Sequence, residues 1–195
     1  MDGLIAIASG LGLATASGLN PYLPLLTVGI FARLGWIQLA APFDLLTNVF
    51  VLLIIAALAA LDFVGDKVPV VDSALHAAGL IIAPIAGAIL ALASRGDVAM
   101  IHPALVAVAG LIVAGSTHLT RSAVRPVVTT ATGGTANPVL SAFEDATSLL
   151  LSIVAVVLPV LALLLVVALV VLAVRFFRRS AGVWKKDRAP VNGRQ

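Results

Sequence analysis

The stretch Val139–Val174, VLSAFEDATSLLLSIVAVVLPVLALLLVVALVVLAV, decides the fold. As one helix rising 1.5 Å per residue it would reach roughly 54 Å, whereas a bilayer core is about 30 Å thick. The run therefore reads as two helices divided at Pro159, because proline lacks the amide proton a helix interior needs and suits the first turn of a new helix. A water-facing surface cannot be built from such sequence, and the rest of the chain agrees. Of 195 residues 61% are hydrophobic and 11% charged, and mean hydropathy is +1.15. A soluble domain carries roughly a quarter of its residues as charges. The class is a membrane protein.

Other apolar stretches follow the same rule of ~20 residues per crossing. They are Leu4 to Leu19, a shorter piece from Pro21 to Ala40 that contains Arg33, Leu45 to Leu61, Ala74 to Ala93, and Val98 to Gly115. The last two each contain a proline, Pro84 and Pro103, and the turn Ser94-Arg95-Gly96-Asp97 separates them. The prediction is an all-α, polytopic helix bundle of about 5–6 spans. Residues 1–174 form the membrane domain, with candidate halves 3–93 and 98–174, and 175–195 form a basic tail. Met1-Asp2-Gly3 lacks the positive leader of a cleaved signal, so the first segment reads as retained.

The net charge of +3 hides an asymmetry, for seven basic and one acidic residue lie from Arg175 onward. The isoelectric point near 10.0 thus reflects a tail rather than a nucleic-acid surface. Arg175, Arg178, Arg179, Lys185, Lys186 and Arg188 follow the last apolar run directly, so the positive-inside rule keeps the C-terminus cytoplasmic in an inner or plasma membrane. The side on which the N-terminus lies depends on whether the piece from Pro21 to Ala40 crosses or re-enters. With no cysteine, disulfides and thiolate chemistry are excluded.

An internal correspondence appears when Asn20 is placed over Asn137. Ala14-Thr15 then meets Ala131-Thr132, Asn20-Pro21 meets Asn137-Pro138, and Leu23 meets Leu140 without a gap. Asn is a preferred N-cap and Pro a preferred first helical residue, so each Asn-Pro predicts a helix start, with Gly18 and Gly134 as flexible approaches. Paired broken or re-entrant helices in two halves point to a repeat-built transport site, with an inverted repeat as one form of it. Two unrelated interfacial caps are the alternative.

Ionisable side chains inside apolar sequence need a partner, water or a task, because each costs about 2.5–3.5 kcal/mol at bilayer depth on insertion scales. Asp62 with Asp66, and Asp72 with His76, are each four apart and so share a helix face; Asp72 with His76 suits proton sharing or a divalent cation, or else Asp72 caps a helix above a solvated loop. His118, Arg121 and Arg125 form one cationic stripe, read as a grip on carboxylate or phosphate or as a topology-setting cytoplasmic loop. Ser141, Glu144, Asp145 and Ser148 project from one face just after the second Asn-Pro, which makes Glu144 and Asp145 the best functional candidates and natural partners for Arg121 or Arg125. Arg33 alone reads as a residue that reaches an interface.

Ser17-Gly18-Leu19-Asn20-Pro21-Tyr22-Leu23-Pro24-Leu25, the Asp66-Lys67-Val68-Pro69 to Asp72 to His76 segment, and Thr132-Gly133-Gly134 with Asn137-Pro138 to Glu144-Asp145 together resemble the bacterial domain of unknown function 4126 family over residues 3–175. The resemblance implies a multi-pass membrane protein and matches Asn20, Asp72, His118, Arg125, Asn137, Glu144 and Asp145 as polar positions in apolar sequence. It assigns them no role.

Three functions are open. A small secondary transporter or channel-like protein would use Asn20, Asp72, His76, His118, Arg121, Arg125, Asn137, Glu144 and Asp145 as a polar site, with Gly18, Pro21, Gly134 and Pro138 at the helix breaks. Its partners would be the lipid bilayer, a small anion or polar solute and a proton; a homo-oligomer is compatible with it, and no cofactor is implied. A non-catalytic scaffold or assembly protein would use the same charges to hold helices together. An intramembrane enzyme on lipid phosphate would need metal-binding aspartates, but no phosphate loop, paired-His helix or nucleophile elbow is present, so no residue is assigned as catalytic.

Overall fold

The computed structural model describes residues 2–67, 69–94 and 101–186. Seven α-helices and one short 3-10 helix make up the described residues: α1 (Asp2–Leu19), α2 (Tyr22–Arg33), the 3-10 turn Phe43–Thr47, α3 (Val49–Gly65), α4 (Pro69–Ala93), α5 (Pro103–Thr132), α6 (Asn137–Val157) and α7 (Pro159–Lys186). The chain is an all-α bundle. Three helical stretches are long and apolar enough to cross a membrane: Ala74–Ala93, Pro103–Thr132 and Asn137–Val157. Shorter apolar helices cover Gly3–Leu19, Tyr22–Arg33, Val49–Gly65 and Pro159–Leu172. Large apolar side chains such as Leu53, Ile54, Leu111, Ile112, Leu149 and Leu150 point outward, an outer surface that suits hydrocarbon rather than water.

The helix ends obey local chemistry. The Asn48 side chain accepts from the Phe50 amide to open α3, and His102 accepts from Ala104 to open α5, with Pro103 in its first turn. Asn20 Oδ1 accepts from the amides of Tyr22 and Leu23 at 2.9 and 3.2 Å, closing α1 and starting α2 through Pro21. Pro159 opens α7 just after the helix breaks at Leu158. The α5–α6 corner turns through Gly133 and Gly134, whose φ values of 61° and 84° lie in the left-handed region that glycine enters without a Cβ clash.

Several sequence expectations need correction. The span expected from Val98 to Gly115 is helix from Pro103 to Thr132, so Pro103 starts the helix and the stripe His118, Arg121, Arg125 lies within it rather than in a cytoplasmic loop. The acidic run Asp62–Asp72 is not a solvated loop either: Asp62 ends α3 from inside the bundle, and Asp66 is buried at its C-cap. Gly18 belongs to the body of α1, where it packs against the Ala114 carbonyl and Thr117 of α5; the break begins only at Asn20. The shorter piece after Pro21 is a helix of 12 residues, about 18 Å of rise and too short to cross the core. The chain returns at Ala40, whose amide donates to the Ala93 carbonyl at the end of α4. The basic tail expected from Arg175 is helical through Lys186, while 187–195, with Arg188, lie outside the described residues. So do Arg95 to Met100, which include most of the expected Ser94–Asp97 turn.

Helix α1 is the central element and packs against α4, α5, α6 and α7. Small residues allow close approach: Gly87 and Gly110 face each other between α4 and α5, and Gly12 meets Ala155 and Ala162. A core of Leu13, Ala16, Val28, Leu90, Leu151 and Ala155 fills the centre. Without a hydrophobic drive between helices in lipid, such backbone proximity and interhelical hydrogen bonds hold a bundle together. The serines supply those bonds, as Ser148 donates to the Ala16 carbonyl at 2.8 Å and Ser17 to the Ala83 carbonyl at 3.4 Å.

Candidate functional site

Five helices bring their polar residues to one place: the end of α1, the end of α3, the start of α4, the later half of α5 and the first half of α6. Asn20, at the α1–α2 corner, is 2% exposed. Its Oδ1 is committed to the cap of α2, so its Nδ2 is left to donate, and it does so twice: to Asp62 Oδ2 at 3.0 Å and to Asp145 Oδ1 at 2.9 Å. One amide therefore ties two carboxylates from α3 and α6 together. Ser148, one turn after Asp145, reaches the Asn20 carbonyl at 3.3 Å and fixes the same corner from the other side.

The second half of the cluster is ionic. Arg121 Nε donates to Glu144 Oε2 at 2.7 Å, and Arg125 Nη2 donates to that same oxygen at 2.9 Å. Arg125 Nη1 meets Asp72 Oδ1 at 2.5 Å. Asp66 stands between the two guanidiniums at 3.6 and 3.7 Å and accepts from the Ser141 hydroxyl. Arg121 also donates through Nη1 to the Leu19 carbonyl, satisfying an acceptor left free where α1 ends. Two arginines one turn apart would repel; three carboxylates from three other helices resolve that repulsion.

The histidines flank this network. His76 Nδ1 lies 3.6 Å from Asp72 Oδ1, and His118, 2% exposed, places Nε2 3.2 Å from the His76 carbonyl. The two rings are 5.7 Å apart. Gly79 makes room for His118, since a Cβ there would run into the imidazole. Tyr22, Asp62, His76, His118 and Arg121 line a small cavity of about 10 Å³. A much larger cleft of about 170 Å³, lined by Ala6, Gly10, Ala91, Leu105 and Ala109 among others, is almost wholly apolar and contains none of the cluster's residues.

Eight of the residues expected at a polar site thus come together: Asn20, Asp72, His76, His118, Arg121, Arg125, Glu144 and Asp145. Asn137 does not join them. It exchanges hydrogen bonds with Thr129 at 3.0 and 3.2 Å, and eight residues of α6, about 12 Å of rise, separate it from Asp145. The two Asn-Pro corners are therefore unequal, because Asn20 caps the helix that follows it whereas Asn137 is the first residue of α6 and caps nothing. Pro138 does sit at the start of that helix, as expected. Arg33 reaches the Thr47 carbonyl at 2.8 Å in an exposed position, apart from the cluster. Asp62 and Asp66, with Ser141 and Ser148, complete the site; the four-residue spacing of the aspartates and the shared helix face of the serines are visible in sequence, but their partners on other helices are not. Among the described residues no group of three metal-ligating side chains is arranged to hold a metal ion.

An apolar all-α bundle that buries a multi-helix ionic cluster is the architecture of a polytopic membrane protein. The chain belongs to the family described as Domain of unknown function (DUF4126), which matches residues 7–179. No curated protein and no solved structure matches it.

Proposed function

We propose that this chain is a small secondary transporter or channel-like protein of the bacterial inner membrane, with its C-terminus cytoplasmic, and that the ionic cluster couples movement of a polar solute to protons. Charge balance carries this reading. Five carboxylates, Asp62, Asp66, Asp72, Glu144 and Asp145, face two guanidiniums, Arg121 and Arg125, within one largely buried site. With neutral imidazoles and full ionisation the site would hold three uncompensated negative charges, which a low-dielectric interior does not tolerate. Protons or a cation complete it, and intramembrane carboxylate–histidine sets of this kind are the material of proton relays. Both arginines are already engaged by carboxylates, so an anion is the less suitable solute and a cation or neutral polar molecule the better one.

The test is reconstitution of the full chain in liposomes containing a pH-sensitive dye, with candidate cations and polar solutes supplied outside. Proton movement above that of protein-free vesicles is expected, with Glu144→Gln and Asp145→Asn each reducing it at least about tenfold. Wild-type vesicles no leakier than empty ones, across those solutes, would remove the proposal.

A scaffold role is the second reading, favoured by the small size of the cavity and the pairing of both arginines. Its signature is a loss of stability or of a binding partner in the polar variants, with no flux in wild type.

A further inference from the structure

The geometry points to a hydrated proton relay between Asp62 and His118, seated in the cavity that these residues line with Tyr22, His76 and Arg121. A carbonyl oxygen only accepts, so the contact from His118 Nε2 to the His76 carbonyl assigns the ring hydrogen of the neutral imidazole to Nε2. Nδ1 is then a bare lone pair. It is buried and makes no hydrogen bond of its own, although the Gly18 carbonyl also approaches the ring, and the Nε2 of His76 is likewise buried without a partner. Unsatisfied buried polar atoms are costly, and a buried water with two to four polar neighbours is the usual remedy. The cavity beside them, at about 10 Å³, is close to the volume that one water centre requires. Gly79 lines the same cavity, and the imidazole lies where a Cβ on it would stand.

A water in this position accepts a proton from the carboxylic acid of Asp62 and passes one of its own to His118 Nδ1. One O–H bond of the acid and one of the water break, while a new O–H bond of the water and one N–H bond form. The products are an Asp62 carboxylate and a His118 imidazolium whose Nε2–H remains on the His76 carbonyl. The charged and titratable groups around this step are Tyr22 from α2, Asp62 and Asp66 from the end of α3, Asp72 and His76 from α4, Arg121 and Arg125 from α5, and Glu144 and Asp145 from α6. Asn20 joins Asp62 to Asp145, so the relay extends the carboxylate pair toward the imidazoles. Its use in coupling rests on the transport reading above; the hydration of His118 does not.

The experiment uses the full chain, labelled with ¹⁵N-histidine, in lipid nanodiscs, and measures magnetisation transfer from water to the His118 ring. Transfer is expected in wild type and is expected to fall in Gly79→Ala, whose methyl would push the imidazole out of its seat at the cavity while changing no charge. In liposomes, His118→Gln, whose amide still donates to the His76 carbonyl, should reduce proton movement at least about tenfold. A His118 ring without transfer from water overturns the relay, and so does wild-type flux in His118→Gln. If wild type shows no flux while His118 is hydrated and its titration moves by about one pH unit in Asp62→Asn, the relay stands and the transport reading falls.

Discussion

Asn20 and Asp145, 125 positions apart in sequence, are joined by a 2.9 Å hydrogen bond inside the bundle. The same side chain caps α2 and bridges to Asp62, so one residue joins backbone geometry to the electrostatics of the site. Asn20→Ala removes an N-cap, worth about 1 kcal/mol, and strands two buried carboxylates, at about 1–3 kcal/mol. Thermal unfolding of the purified protein in detergent should show a total loss of roughly 2–4 kcal/mol. A double-mutant cycle with Asp145→Ala should give coupling well above zero; independent effects would mean that the bridge carries no energy.

Arg125 contacts Asp72 and Glu144 and faces Asp66. Arg125→Ala leaves those carboxylates buried without a counter-charge and is expected to cost about 3–5 kcal/mol, the usual penalty for breaking a buried pair. Replacing both members, as in Arg125→Leu with Glu144→Leu, should recover part of that loss. Chemical denaturation of single and double variants in parallel checks the order, and a double variant worse than the sum of the singles contradicts it.

The glycines provide a test of packing that avoids charge. A Cβ at Gly87 would press on Ala114, the Gly110 carbonyl and Ser17, whereas one at Gly115 would meet only Pro84 in ordinary contact. Gly87→Ala should cost about 1–3 kcal/mol by overpacking. Gly115→Ala should be neutral or gain up to about 1 kcal/mol, because alanine is the better helix former. Equal unfolding temperatures for the two variants would show that the α4–α5 contact is looser than described.

Asn137 serves as the contrast to Asn20. Its bonds run to Thr129 in a largely exposed corner, so Asn137→Ala should change stability by no more than about 1 kcal/mol and leave proton movement unaltered. A loss as large as that of Asn20→Ala would restore the equivalence of the two Asn-Pro corners.

Much of the architecture could be read from local chemistry. The break at Pro159, the start of α2 at Asn20-Pro21 and the common face of Glu144 and Asp145 each follow from rules acting over a few residues. The pairing of Glu144 with Arg121 and Arg125 followed from the cost of burying charge, which demands a partner wherever it is found. Asp62 and Asp66 were obscured because a run of acids next to Lys67 and Pro69 looks like a solvated loop, and only the placement of α5 and α6 beside it reveals the burial. The length of α5 was hidden for a related reason. Arg121 and Arg125 read as the end of an apolar span, but paired charges let the helix continue to Thr132. Identical Asn-Pro dipeptides carried no information on whether their side chains would face the interior or the outside.

The long α5 has a consequence for placement. Arg121 stands eighteen positions beyond Pro103, about 27 Å of rise, and Asn20 ends an 18-residue α1 of similar reach,. In a hydrocarbon slab about 30 Å deep, entered by both helices at their first residues, the ionic cluster would lie toward the distal leaflet and away from the midplane. Headgroup chemistry on that one side would then reach the site, while the opposite monolayer would meet the connection from α2 to α3 with its exposed Arg33 and Asp44.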